Sequence, residues 1–152
     1  MASYTVSTHQ KRLEAAFERA SKVEDLRVQA DIAQLLCVLV AGFLEQATRH
    51  LFRVFASKRA DPKVTRYVER RLAGFQNANP QKLCDLVGDF DPQLRERFEE
   101  FIKGERRDSI GSVVANRHLI AHGEQVELTY HRIHGYYEHV RETVKFLENE
   151  CT

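Results

Sequence analysis

The stretch from Leu35 to Leu44, LLCVLVAGFL, is apolar on nearly every side of a helix. A helix of this kind lies in the middle of a bundle, where neighbouring helices cover each of its faces. The apolar pattern continues over about residues 25–57, and Leu35 and Leu39 widen its main face. That face carries Leu36, Val40, Phe43, Ala47 and Val54. The sequence therefore predicts one long central helix.

The three prolines mark three helix starts, because each of them follows Asp or Asn. Asp and Asn accept backbone N–H bonds at the N-cap, and proline fits the first helical position, where no N–H is needed. The predicted starts are Asp61-Pro62, Asn79-Pro80 and Asp91-Pro92. Ser7, with Gln10 three residues later, has the pattern of a capping box and predicts a fourth start.

Two more helices are indicated in the C-terminal half. A helix over about residues 105–122 is predicted to end at Gly123, since glycine tolerates the left-handed conformation at a helix end. Its apolar residues are Ile110, Val113, Val114, Ile120 and Ala121. The last helix has a 4-3-4-3 apolar spacing, which fits bundle or dimer packing. Its apolar residues are Ile133, Tyr137, Val140, Val144 and Leu147.

Sustained alternation is absent, and EQVEL at 124–128 is too short for a sheet. We therefore predict a single domain over residues 1–152, an all-α up-down bundle. It should contain about four principal helices and one or two short ones.

The composition predicts a cytoplasmic chain. No window approaches eighteen uninterrupted apolar residues, and the N-terminus has no apolar signal core, so we expect no membrane span and no leader. Cys37, Cys84 and Cys151 are far apart and form no CxxC pair, which favours reduced thiols. Cys37 should be buried and Cys151, beside the C-terminus, accessible. We expect no metal and no cofactor.

Basic residues are concentrated between Arg49 and Arg71, although the net charge is only +1. Within this stretch only Asp61 and Glu69 are acidic. Such a stretch fits either the solvated face of a helix or a surface that contacts phosphates. The basic residues are Arg49, Arg53, Lys58, Arg59, Lys63, Arg66, Arg70 and Arg71.

The segment NRHLIAHG, residues 116–123, combines an arginine and a histidine five residues apart. Five residues correspond to about 140° of rotation and about 7.5 Å of rise, so spacing alone does not place the two side chains on one face. Arg117 falls on the apolar stripe and needs an anionic partner or a path to solvent. His122 lies in the final turn, where the helix can bend its ring toward the guanidinium.

An imidazole transfers protons near neutral pH, and a guanidinium can hold two phosphate oxygens. Together they suit cleavage of a phosphodiester by its neighbouring 2′-hydroxyl, without a metal. Two other interpretations remain open. Arg117 can pair with a buried carboxylate while His122 caps carbonyls, because the Arg-x4-His pattern is weak. His118 and His122, four apart, can be metal ligands, although no glutamate or cysteine completes a familiar set.

RHLIAHG resembles the signature of the HEPN superfamily, which has an arginine, a polar residue, three further residues and then a histidine at the end of a late helix. The earlier segment GFLEQATR places Glu45 where many members carry an acidic residue. The resemblance covers about residues 30–148 and is closest in character to stand-alone HEPN domains of bacterial defence and toxin systems.

The resemblance implies a metal-independent endoribonuclease with Arg117 and His122 as catalytic residues. It gives His118 a supporting role, although asparagine is commoner there, and Glu45 an orienting role. The basic residues Arg49, Arg53, Lys58, Arg59, Lys63 and Arg66 would guide RNA. The resemblance also implies a homodimer with the motifs facing each other and an antitoxin or defence partner. Some members are inactive, so a non-catalytic module that binds nucleotides or a partner protein is the alternative.

Overall fold

The structure, a computed structural model, describes residues 3–152 and contains seven helices in this range. No strand forms within it, and residues 124–128 are irregular. The all-α prediction is confirmed, with four long helices and three short ones instead of one or two. In chain order they are α1 (Val6–Ser21), α2 (Leu26–Arg59), α3 (Pro62–Ala73), α4 (Pro80–Phe90), α5 (Pro92–Ile102), α6 (Glu105–Ala121) and α7 (Tyr130–Cys151).

The four long helices alternate in direction, as contacts between them show. His9 near the start of α1 packs against Phe43 of α2, and Gln29 near the start of α2 donates to the carbonyl of Ala20 near the end of α1, so these two helices are antiparallel. Tyr130 of α7 donates to the carbonyl of Phe17 and Tyr137 to the carboxylate of Glu14, which makes α1 antiparallel to α7. Ser109 bonds to His139 and Arg106 to Glu142, a reversed order that makes α6 antiparallel to α7. The order α1, α2, α6, α7 is therefore an up-down bundle, with α3, α4 and α5 in the connection between α2 and α6.

The long helix α2 is the centre of the bundle and packs against α1, α3, α6 and α7. Asp25 caps its start by accepting the N–H groups of Arg27 and Val28. By length and composition α2 is the one helix in residues 3–152 that could cross a membrane, and here it forms the core of a helical bundle. Leu35 and Leu39, expected to widen the buried face, are 56% and 39% exposed.

Local capping chemistry positions the shorter helices. Asp61, Asn79 and Asp91 are the N-caps of α3, α4 and α5, and each helix has proline in its first turn, as predicted. The prediction for Ser7 is wrong, because Thr5 caps α1 and its hydroxyl accepts the N–H of Thr8. The helix begins earlier because Val6 is then buried in the core.

The final helix is buried along its apolar face within the chain itself. Its 4-3-4-3 residues all face the core, so that spacing serves the bundle. Cys37 is buried, as predicted, but the prediction that Cys151 is accessible is wrong, since α7 continues to Cys151 and buries its side chain completely. All three cysteines are free thiols.

Candidate active site

The motif lies at the C-terminal end of α6, and this end has a Schellman geometry. Gly123 has a φ of 75° and donates its N–H to the Ile120 carbonyl, while the N–H of Glu124 bonds to the carbonyl of Leu119. Only a residue that tolerates the left-handed conformation closes the helix in this way. The predicted end of the helix at Gly123 is confirmed, and it makes His122 the C-cap residue.

Arg117 is half-buried in the last turns of α6 and extends toward the segment between α3 and α4. Its guanidinium donates to the side-chain oxygen of Asn77 at 3.4 Å. No ion pair within residues 3–152 includes Arg117. The interpretation in which a buried carboxylate pairs with Arg117 therefore finds no support in the described part of the chain.

Glu45 reaches the motif indirectly, through the same segment. One of its carboxylate oxygens accepts the backbone N–H of Asn77 at 3.1 Å, and the other binds Arg49 at 2.8 Å. Arg49 in turn donates from Nε to the carbonyl of Phe75 at 2.9 Å. These bonds fix the segment 75–77 on α2, and Asn77 then contacts Arg117.

Asn77 was not identified from the sequence, although it links the two predicted halves of the site. It is the one non-glycine residue in the described chain with a positive φ, 55°. Asparagine tolerates this region better than most residues. The sequence signal was faint, since GFQNAN contains no periodicity and only its composition indicates a loop.

His118 and His122 are both exposed and lie against each other. Their ring centroids are 4.5 Å apart and the rings meet edge to face. The expected bend of the His122 ring toward the guanidinium is replaced by this contact with His118. Two imidazoles and one guanidinium at the end of a helix can exchange protons and bind an anion.

Among the described residues, no further metal ligand lies near these two histidines. Across the described residues, no group of three or more His, Cys, Asp or Glu side chains is placed to hold a metal ion. Two of the other C-terminal histidines have contacts of their own: His134 lies edge-on to Phe17, and His139 bonds to Ser109.

Most of the predicted RNA-guiding residues are exposed, and one of the six is not. Arg49 is half-buried in the network just described, where it pairs with Glu45 and donates to the carbonyl of Phe75. The others lie on the surface of α2 and α3, where Arg59 also covers the ring of Phe55 at 3.9 Å. The exposed residues are Arg53, Lys58, Arg59, Lys63 and Arg66.

The motif is open to solvent on one side. His118, Ala121, His122 and Gly123 are all exposed. Helix α2 contacts α6, and the thiol of Cys37 lies 3.5 Å from the carbonyl oxygen of Val113. The outer face of α2 carries the exposed Leu35 and Leu39. Both the end of the motif and this face of α2 are therefore accessible to a second molecule.

A family model described as RiboL-PSP-HEPN matches residues 7–152 of the chain. The match includes every residue of the motif, Glu45 and Asn77. Comparison with curated proteins and with solved structures gave no match.

Proposed function

Because the chain belongs to the RiboL-PSP-HEPN family over residues 7–152, we propose that it is a metal-independent endoribonuclease of the HEPN type. The observation that carries this proposal is the state of Arg117. The guanidinium is half-buried, yet its one side-chain partner in the described chain is the neutral amide of Asn77. A partly desolvated cation without a counter-ion is prepared to bind an anion such as a phosphodiester.

In the proposed reaction, an imidazole removes the proton of a ribose 2′-hydroxyl, and the 2′-oxygen forms a bond to the adjacent phosphorus. The bond from phosphorus to the 5′-oxygen breaks, and that oxygen takes a proton. The products carry a 2′,3′-cyclic phosphate and a 5′-hydroxyl. His122 exchanges one of these protons, His118 beside it supports the transfer, and Arg117 stabilises the charge on the phosphate.

The exposed cations of α2 and α3 would attract RNA toward this site. Helix α3 is followed in the chain by the segment 75–77, and Asn77 of this segment contacts Arg117. Electrostatic attraction to a phosphate backbone weakens as salt increases, so binding should be strongly salt-dependent.

We also propose that the enzyme acts in the cytoplasm as a homodimer, in a defence or toxin–antitoxin context. The support for a dimer is the open side of the motif together with the apolar residues exposed on α2. A second copy packed there would bring the two motifs together.

The alternative function is a non-catalytic module that binds a partner protein, such as an antitoxin. The same observation favours it, because an exposed apolar helix face serves a protein partner as well as a second copy. The exposed residues are Leu26, Val28, Leu35 and Leu39.

Cleavage of single-stranded RNA in EDTA separates the two functions. The parent should cleave, and Arg117→Ala and His122→Ala should each lose about 10²–10⁴-fold in rate. Neither change should cost more than about 1–2 kcal/mol of stability, since one side chain is exposed and the other has a single weak bond. Arg132→Ala and His131→Ala, which remove exposed side chains of the same types, are the matched controls.

Activity that disappears in EDTA and returns with Mg²⁺ or Zn²⁺ would contradict the mechanism. Parental cleavage by both motif variants would contradict the assignment of the site. A large fall in melting temperature for Arg117→Ala would instead indicate a structural role for this residue.

A further inference from the structure

The short helix α3 presents an exposed aromatic ring among positive charges. Tyr67 is 64% exposed, and α3 has four basic residues against one acidic residue, Glu69. Lys63, Arg70 and Arg71 lie four residues before, three after and four after Tyr67, which places all of them on its side of the helix. No ion pair of the described chain involves these cations.

The ring of Tyr67 borders a groove of about 520 Å³ between α3 and α4. Phe75 and Phe90 supply aromatic surface to the groove, and Arg71 supplies a cation at its edge. Asp89 is the one acidic residue among those that line it. A groove of this composition suits a flat aromatic ligand that carries negative charge.

We propose that this groove binds a base of single-stranded RNA, with the ring of Tyr67 as the stacking surface and Arg71 holding the neighbouring phosphate. The proposal rests on the endoribonuclease function proposed above and adds a subsite to it. Stacking of a base on an aromatic side chain is possible only where the base is unpaired, so the groove would select single-stranded RNA.

The position of the groove relative to the motif supports a continuous path for RNA. Helix α3 has twelve residues and is therefore about 18 Å long. It is followed directly by the segment whose Phe75 lines the groove and whose Asn77 contacts Arg117. A strand that stacks on Tyr67 and continues past Phe75 would bring a phosphate to Arg117.

The test is binding of a fluorescent single-stranded oligoribonucleotide with 2′-O-methyl groups throughout, which lacks the attacking hydroxyl and so reports binding alone. Tyr67→Ala in the full chain should weaken binding about tenfold, within the range for loss of one stacked base. Tyr67→Phe should bind like the parent, because the ring is kept. Binding to a duplex should not change. Since the ring is exposed, neither variant should alter the melting temperature.

Val64→Ala is the matched control, because Val64 is 52% exposed on the same helix and has no ring. Equal weakening by Val64→Ala and Tyr67→Ala, or parental binding by Tyr67→Ala, would overturn the proposal. If Tyr67→Ala left RNA binding unchanged but abolished self-association of the protein, the proposal would also be overturned, because the groove would then be a protein contact.

Binding and cleavage assays on the same proteins test the RNA subsite and the endoribonuclease activity separately. Cleavage of ordinary RNA by the parent together with Tyr67-independent binding would refute the subsite and leave the endoribonuclease standing. Tyr67-dependent binding without cleavage would support the subsite and refute the endoribonuclease. A parent that binds no single-stranded RNA would overturn both.

Discussion

At the scale of single residues, the candidate site depends on how the charged side chain of Arg117 is accommodated on an apolar face of α6. Its long side chain runs out of the core and ends at the amide of Asn77. This lets the hydrocarbon stem pack while the guanidinium stays near solvent. The arrangement holds the charge without neutralising it, which a carboxylate partner would do.

Asn77, which contacts Arg117, has an unfavourable left-handed backbone conformation. A left-handed conformation costs a non-glycine residue about 1–2 kcal/mol, less for asparagine. Its backbone N–H is held by Glu45, and its side chain accepts from Arg117. The backbone conformation of Asn77 affects stability, and its side-chain contact affects Arg117. Substitutions at this residue can therefore separate the two effects.

We predict that Asn77→Gly keeps the parental melting temperature within a few degrees but lowers the rate of RNA cleavage. Glycine adopts the same φ without strain, so the loop stays bonded to Glu45, while the acceptor for Arg117 is lost. Asn77→Ala should lose both cleavage and about 1 kcal/mol of stability, because alanine is strained at this φ. The measurements are thermal melts and single-turnover cleavage on the same samples.

The control for added flexibility is Gln76→Gly, since Gln76 is an exposed neighbour in the same loop. It should cleave like the parent. Equal loss of cleavage in Gln76→Gly and Asn77→Gly would show that loop stiffness matters and the contact with Arg117 does not.

At the scale of helices and loops, the sequence predicted what local chemistry determines. The three Asp-Pro or Asn-Pro helix starts and the glycine end of α6 follow from a few adjacent residues, and all four are confirmed. The prediction that Ser7 caps a helix was wrong, because Thr5 is a similarly good N-cap and a start at Thr5 allows Val6 to be buried in the first turn.

The segment 75–77 could not be placed from the sequence, and this is where prediction of the site stopped. Its path is fixed by Arg49 and Glu45, about thirty residues earlier in the chain. Contacts of this kind are tertiary and leave no periodic pattern. The same reason explains why the bonds of Arg49 to Glu45 and to the Phe75 carbonyl were not foreseen from its place in the basic stretch.

The contact between α1 and α2 should make stability depend on pH. His9 packs edge-on against Phe43 and bonds to Tyr4. Burial, with a smaller effect from the charge of Arg12, lowers the pKa of His9. The folded chain therefore favours the neutral ring, and stability is lost as the pH falls below the ordinary value of about 6.5, where the unfolded chain takes up the proton first.

Thermal melts at about pH 7.5 and about pH 5.5 measure this effect. The drop in melting temperature between them should be smaller in His9→Phe than in the parent, because phenylalanine does not titrate. His131→Phe, at an exposed position, should keep the parental drop. An unchanged drop in His9→Phe would show that other groups control the acid sensitivity.

The end of α7 should resist thiol reagents despite its position at the C-terminus. Cys151 is fully buried, and burial raises the pKa of its thiol to about 12, so that very little thiolate is present. We predict that native Cys151 reacts far more slowly with a disulfide reagent than in denaturant, as measured by mass spectrometry of the labelled peptides. Cys37, whose pKa is raised to about 11, should be protected in the same way. Rapid native labelling of Cys151 alone would indicate that the last turn of α7 frays.

At the scale of the whole molecule, the bundle buries its apolar core within one chain, whereas the end of the motif is exposed to solvent. The periodic apolar patterns of α2 and α7 were sufficient to predict an up-down bundle, because each buries a continuous face. They were not sufficient to place a dimer contact. The apolar spacing of α7 is used inside the chain, whereas Leu35 and Leu39, predicted to be buried, lie outside it.

We therefore predict that the dimer forms through the exposed face of α2, and that cleavage requires it. Leu35→Asp and Leu39→Asp should each convert the protein to a monomer, although both leave Arg117 and His122 unchanged. Cleavage should fall at least about 10²-fold, the smallest loss expected when a proton-transfer group is removed from the site. A charge in an apolar interface loses its hydration without gaining a partner, while the same charge on an exposed monomer surface costs little. Light scattering and cleavage assays at the same tens-of-micromolar concentration, about where weak dimers form, measure the two effects.

Ala15→Asp provides the control, because it places the same charge on an exposed apolar position of α1, outside α2 and the cationic surface of α3. It should remain a dimer and retain cleavage. If the active site uses both chains, a mixture of Arg117→Ala and His122→Ala proteins should regain activity, because a mixed dimer contains one intact arginine and one intact histidine. A mixture of Arg117→Ala and Leu35→Asp proteins should stay inactive, because the Leu35→Asp chain cannot form a dimer. A strictly monomeric parent that cleaves RNA would refute the dimer and show that one copy of α6 with its neighbouring loop is the complete site.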